Sequence, residues 1–211
     1  MQAFAKNNNI PFSRLIPLLD FCAVSIAADI VPVEEENRIL AFHGLKLLNT
    51  NPSIGLRSII DICGLNGREI SMSDIVFKIG PRINASGRME NVKLSVDLLV
   101  ERDFATAIRM AKHINEYNEQ RKDIDKQMTE EANGIVSRLE SQKHNSSIVL
   151  YDEGWKKGVI GIVASRLTEI YFRPTVVLTK DGDMATGSAR SVTGFDVYSA
   201  IKSCRDILMN F

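Results

Sequence analysis

The sequence is poor in the residues that build disulfide, zinc or membrane scaffolds. It has three cysteines in 211 residues, Cys22, Cys63 and Cys204. They lie far apart with no Cys-x-x-Cys pair, which argues against a disulfide framework and a cysteine zinc site and points to a reducing, cytoplasmic setting. The three histidines, His43, His113 and His144, are scattered and make no metal cluster by themselves. Apolar runs are short: Phe21–Ala28 and Val159–Ser165 stop far below the roughly 20 residues that a membrane helix needs. Charge of one sign is missing too, because 26 basic residues face 26 acidic ones. Any nucleic-acid contact therefore has to come from a local patch. The opening stretch Met1–Asn9 is polar, with Lys6 as its one basic residue, and is not expected to act as a secretory leader. What is present, 45% hydrophobic and 25% charged residues, suits a folded chain of one or two domains.

The first third reads as helices separated by turns. Ile16–Ala28 is apolar and rich in small residues, and Asp29-Ile30-Val31-Pro32 ends it. The position before a proline disfavours helical backbone, which places Asp29 near the helix end or in the loop beyond. Glu34-Glu35-Glu36 forms an acidic first turn for a helix to about Leu48, and Ser53 is a candidate cap for a short helix to about Cys63. Ser71-Met72-Ser73-Asp74 looks like another cap. The nine residues Gly80–Arg88, GPRINASGR, hold two glycines, a proline and two arginines, and predict a structured loop on a helix end.

From Phe104 to about Leu139 the pattern is helical. Ile108, Ile114, Tyr117, Ile124, Met128, Ile135 and Leu139 fall mostly three, four or seven apart and give one narrow apolar stripe. Unbroken, such a helix spans roughly 50 Å, with Gly134 as a weak point, and suits a bridge between two lobes. Ser141–Ser146 reads as a linker. The last third changes period. Ser147–Tyr151 and Thr175–Thr179 are strand-like and flank a helix at Val159–Tyr171, which makes a βαβ unit with parallel strands. A third strand near Met184–Ser191 and a helix from Asp196 to Met209 extend it.

Four places hold residues suited to chemistry, each with a plain alternative. Asp29 is either a carboxylate for a hard divalent ion or an ordinary helix-end residue. Gly80–Arg88 offers arginine forks that match phosphate oxygens, or it is a turn with solvated arginines. In Thr186-Gly187-Ser188-Ala189-Arg190-Ser191, alternation puts Ser188 and Arg190 on one face, where they can hold an anion; such Ser/Thr-rich strand ends are also common without a ligand. Trp155–Gly161 brings basic residues and glycine to a helix start, which suits phosphate or simply opens the helix. Glu34–Glu36 is taken as a solvated helix start and not a metal cluster.

Taken in order, these strings resemble the RecJ family of single-strand-specific exonucleases in the DHH phosphoesterase superfamily. The matching pieces are Ala27–Pro32 with Glu36-Asn37-Arg38, Gly80–Arg88, WKKGVIGIVASRL at Trp155–Leu167, Arg173-Pro174-Thr175, and Gly187–Ser191. The resemblance implies an α/β chain: the helical tail of a DHH domain (1–102), a long connecting helix and linker (103–145), and a truncated DHH-associated α/β domain with its βαβ unit (146–211). It implies a 5′→3′ exonuclease on single-stranded DNA in repair and recombination, with repair proteins as further partners. Two Mn²⁺ or Mg²⁺ ions would activate water and stabilise charge on phosphate oxygens. By the same resemblance Asp29 matches the last metal-binding aspartate of the DHH domain. Arg82 and Arg88 are expected to contact phosphates with Asn84 positioning them, and Ser188 and Arg190 to bind the 5′ end.

The sequence also departs from that family. It contains no Asp-His-His triplet, and Lys156 or Lys157 replaces a histidine often found beside the tryptophan. One carboxylate does not hold Mg²⁺ against its hydration shell. The chain is therefore expected to be an internal fragment, inactive by itself, of an active parent enzyme. Two other readings stand beside this one: an oligoribonuclease or cyclic-dinucleotide phosphodiesterase of the same superfamily, and a non-catalytic nucleic-acid-binding module.

Overall fold

Small residues dictate how the helices of the N-terminal part meet. The structure, a computed structural model, describes residues 2–29, 31–89, 91–140 and 146–209, and the chain divides into two units, Met1–Glu119 and Gln120–Phe211. The first begins with α1 (Gln2–Asn7) and two 3₁₀ turns, Phe12–Arg14 and Ile16–Leu18, then α2 (Leu19–Ala28), α3 (Glu35–Thr50) and α4 (Ile54–Ile62). Gly44 of α3 lies directly against α2: a Cβ there would come within 2.1 Å of the Leu19 carbonyl oxygen. Asp20, fully buried, accepts hydrogen bonds from the backbone N–H groups of Phe21 (2.8 Å) and Ser53 (2.7 Å), and so ties α2 to the start of α4.

The next helical stretch has three parts without a break: α5 (Met72–Asp74), a π-helical turn (Ile75–Ile79) and α6 (Gly80–Arg88). Ser71 and Asp74 cap its start reciprocally, and Asp74 also pairs with Arg68 and, at 3.2 Å, with Lys78. Then come α7 (Val92–Val100) and the 37-residue α8 (Phe104–Glu140). The core of this unit gathers Leu48, Leu56, Ile59, Ile75, Ile79 and Leu98 with Ala107, Ala111 and Ile114 from the first part of α8.

The second unit holds β1 (Ile148–Tyr151), α9 (Lys157–Tyr171), β2 (Thr175–Asp181), β3 (Met184–Arg190), α10 (Val197–Ser203) and a final 3₁₀ turn, Arg205–Ile207. The sheet order is β1-β2-β3, with β1 and β2 parallel and β3 antiparallel to β2. Met128, Ala132 and Val136 of α8 form a core with Val159, Val163 and Leu167 of α9 and with Ile148, Leu150 and Val177 of the sheet. Two polar links fasten the layers. Arg166 reaches the buried Asp125 at 2.7 Å, and the Trp155 indole N–H donates to Glu131 at 3.0 Å. No described helix is long and apolar enough to cross a membrane.

The α/β architecture, the long helix and the βαβ unit stand as read from the sequence. Three local expectations change. Gly80–Arg88 is helix and not loop. The expected stripe of α8 holds at Ile114 and Met128, which are buried, but the seam also runs through alanines at 107, 111 and 132, and Leu139 is 42% exposed. The last helix is shorter than expected, and α7 had no counterpart in the sequence reading. The linker expected from Ser141 lies, as far as Asn145, outside the described residues.

Candidate nucleic-acid interface

Asp29 is the C-cap of α2. It is exposed, and its backbone N–H donates to the Ser25 carbonyl at 3.0 Å. The residue before it packs against the junction where the π-turn becomes α6: a Cβ on Gly80 would stand 3.2 Å from Ala28 Cβ and 3.6 Å from Ala28 Cα. A larger residue at 80 would push the two helices apart. The fold thus sets the Asp29 end of α2 beside the start of the GPRINASGR helix.

Pro81 can sit inside this helix because of the π-turn. The Gly80 N–H bonds to the Ile75 carbonyl five residues back, and the next residue, a proline, has no N–H to place. The Lys78 carbonyl then accepts from Arg82 Nη1 at 2.8 Å and from the Cys63 thiol at 3.7 Å. Burial pushes the Cys63 thiol up from its ordinary value, while the charges of Arg82 and Lys78 pull it the other way.

The polar residues of this helix divide. Arg82 turns toward α8, where its Nε donates to Asn115 Oδ1 at 2.9 Å, and it is half-buried. Asn84 and Arg88, one turn apart, are both exposed on a common side. On the other flank Ser86 and Ser95 are hydrogen-bonded at 2.6 Å, and Ser95 also donates to the Ile83 carbonyl at 2.8 Å. The helix is therefore held by α7 and α8 with Asn84 and Arg88 outward.

In the second unit, β3 places Ser188 and Arg190 two residues apart on the face toward α9. Arg190 Nε donates to Ser165 Oγ (2.9 Å), and its Nη1 donates to Ser188 Oγ (3.0 Å) and the Ala189 carbonyl (2.7 Å). Gly161 on α9 makes the space: a Cβ there would approach Arg190 Nη2 and Ser188 Oγ to 3.1 Å each. Ser165 was not singled out by sequence reasoning. Its one signal was its place four residues after Gly161 on a helix expected to cover the strands. At the start of α9, Lys157 is ion-paired with Asp181, so this lysine is already engaged, while Lys156 remains exposed.

For a divalent ion the donor set is thin. Among the described residues no group of three or more His, Cys, Asp or Glu side chains is placed to hold a metal. Asp29 is suited to give one carboxylate ligand. The described residues do not make a complete two-ion site.

These features have close parallels. Residues 144–208 match the DHHA1 domain, a stretch that lies within the C-terminal unit. Nearly the whole chain, in turn, is similar to RecJ. It is 38% identical over 197 residues to the single-stranded-DNA-specific exonuclease RecJ of Bacillus subtilis (strain 168), covering 92% of this chain and 25% of that protein. With RecJ of Escherichia coli (strain K12) it shares 30% over 205 residues, covering 95% and 36%. The fold also matches the crystal structure of RecJ from Thermus thermophilus in complex with Mg²⁺, at a TM-score of 0.84 and 27% identity, over 99% of this chain and 32% of that one. A second structure of that RecJ, in complex with Mn²⁺, gives a TM-score of 0.82. The family resemblance read from the motifs is thereby confirmed. The chain spans a quarter to just over a third of the length of these relatives.

Proposed function

We propose that this chain is part of a metal-dependent exonuclease that degrades single-stranded DNA from the 5′ end, and that its own share is strand binding. The observation that carries this reading is Arg190. It is an exposed guanidinium fixed by two serine hydroxyls over a glycine gap, with no ion pair among the described residues. Proteins rarely organise a cation so closely without an anion to meet it, and phosphate oxygens match its geometry. Asn84 and Arg88, exposed on the outer side of α6, supply a second polar surface. Arg82, tied to Asn115 and the Lys78 carbonyl, acts through the placement of that helix.

Asp29 provides one ligand for a Mn²⁺ or Mg²⁺ pair, and the remaining ligands come from outside the described residues. The pure chain is accordingly expected to give no Mn²⁺-dependent digestion of single-stranded DNA, which a nuclease assay checks. Its DNA binding is weak and falls with salt in proportion to the few phosphates contacted. Its cysteines are free thiols, which fits the cytoplasm, where DNA repair and recombination take place. The test is Arg190→Ala, read as affinity for a single strand at low salt. The expected loss is about tenfold, the scale of one charge-assisted contact. An unchanged affinity would remove the basis of the reading.

A further inference from the structure

Phe77 lies at the middle of the π-turn in front of the GPRINASGR helix, and its ring is 75% exposed. A single apolar side chain on a surface needs no explanation, but the place of this one is unusual. Ile75 and Ile79, two residues to either side, are fully buried. The backbone beneath Phe77 is thus anchored on both flanks while the ring faces water. Single π-turns inside helices occur frequently at functional sites, and a ring on so fixed a base loses little freedom when it meets a ligand.

The neighbours of the ring narrow the ligand. Along α5, the π-turn and α6 the exposed residues are Ser73, Phe77, Asn84, Gly87 and Arg88. Phe77 follows Ser73 by four residues and precedes Asn84 by seven, and Arg88 lies four beyond, the spacing of one strip along a helix. Apart from the ring the strip is polar, with a hydroxyl, an amide and a guanidinium. A dry protein contact would gain one ring there and would have to strip water from a charge. The surrounding charge is positive: Arg68, Lys78, Arg82 and Arg88 stand against Glu69 and Asp74 over residues 68–88, in a chain of no net charge. Asp74 is already shared by Arg68 and Lys78.

Resting on the strand-binding reading above, we infer that Phe77 is a stacking platform for an unpaired nucleobase of the strand that Asn84 and Arg88 meet. A nucleotide joins a flat π-system to an anionic backbone, and a phenyl ring in line with a guanidinium suits both halves. Inside a duplex each base is covered on its two faces by its neighbours, so the ring finds no free face. Stacking therefore selects unpaired strands, which phosphate contacts do not do by themselves. It reads no sequence, since every base has a face to offer.

The experiment measures the affinity of the full chain, at low salt, for three ligands of equal length: oligodeoxyadenosine, the same sugar–phosphate chain with tetrahydrofuran in place of every nucleoside, and a duplex. The unaltered chain binds oligodeoxyadenosine more tightly than the abasic strand. Phe77→Ala lowers the affinity for oligodeoxyadenosine about tenfold, the scale of one stacked base, and leaves the abasic strand and the duplex bound as before. Its salt dependence is unchanged, whereas Arg88→Ala flattens the salt dependence on the base-bearing and abasic strands alike. Phe77→Trp retains the affinity, and its indole emission, added to that of the buried Trp155, is quenched by oligodeoxyadenosine and not by the abasic strand. Equal affinity of the unaltered chain for the two strands overturns the stacking role. So does a Phe77→Ala variant that weakens both alike, and one that weakens neither assigns the ring to a contact with protein instead. If Phe77→Ala shows the expected loss while Arg190→Ala binds like the unaltered chain, stacking stands and strand binding by Arg190 fails.

Discussion

At the scale of single residues, Asp74 shows how much one buried carboxylate can organise. It accepts the Ser71 backbone N–H, pairs with Arg68 and Lys78, and closes the cap on the helical stretch that carries the candidate interface. The Ser71 backbone hydrogen bond first, and Arg68 next, hold its carboxyl well below the usual carboxylate range. A carboxyl with a depressed folded value gives stability that is full above its unfolded value and drains away as pH falls below it. Denaturant unfolding at neutral pH and at about pH 3, below the ordinary aspartate range, is therefore expected to show a larger loss for the unaltered chain than for Asp74→Asn. Equal losses would contradict the assignment. Ser71→Ala, which removes the other half of the cap, is expected to cost about 1 kcal/mol at neutral pH.

The residues whose roles are local were legible in the sequence. Pro32 gave away the helix end at Asp29, and strand alternation gave the common face of Ser188 and Arg190. Their partners were not legible, because Ser165 meets Arg190 across 25 positions and Asn115 meets Arg82 across 33.

At the scale of elements, glycine and proline misled the reading of Gly80–Arg88. Their intrinsic cost in a helix is real, but a π-turn in front of Pro81 and the fit of Gly80 against Ala28 offset it here. The long helix was legible in length, since its charge pattern and period extend over ten turns. Its buried seam was legible at Ile114 and Met128 but not at the alanines of 107, 111 and 132, because alanine carries little hydrophobic signal and yet allows the closest approach of neighbouring elements. Two glycines make the same point as a prediction. Gly44→Ala drives a methyl group to 2.1 Å from the Leu19 carbonyl oxygen and 2.8 Å from Ala23 Cβ. Part of the α2–α3 contact must then open, at a cost of about 3 kcal/mol. At Gly134, exposed on α8, an added Cβ meets nothing within 4 Å. Gly134→Ala is therefore expected to stabilise the chain by about 0.5–1 kcal/mol. Chemical denaturation of the two variants checks both signs, and a stabilising Gly44→Ala would mean that α2 and α3 do not pack as described.

At the scale of the whole molecule, net charge and composition said little beyond a folded chain, whereas the switch from helical period to strand–helix–strand did announce two kinds of unit. The boundary could not be read from that switch, because α8 runs through it and serves two cores with different parts of its length. Ala107, Ala111 and Ile114 belong to one cluster, and Met128, Ala132 and Val136 to the other. Each cluster is closed by fully buried aliphatic side chains, Leu56 and Ile75 in the first and Val163 and Leu167 in the second. A truncation in one core leaves its cavity among the residues of that cluster. Leu56→Ala and Leu167→Ala are each expected to cost about 2–5 kcal/mol, but in different calorimetric transitions. Leu56→Ala should lower the melting of the helical unit while the single-strand affinity proposed for Arg190 persists. Leu167→Ala should shift the other transition and weaken that affinity at temperatures where the helical unit is still folded. One shared transition displaced equally by both substitutions would show that α8 fuses the two cores into a single cooperative body, and the division of labour between helical and α/β units would then have to be given up.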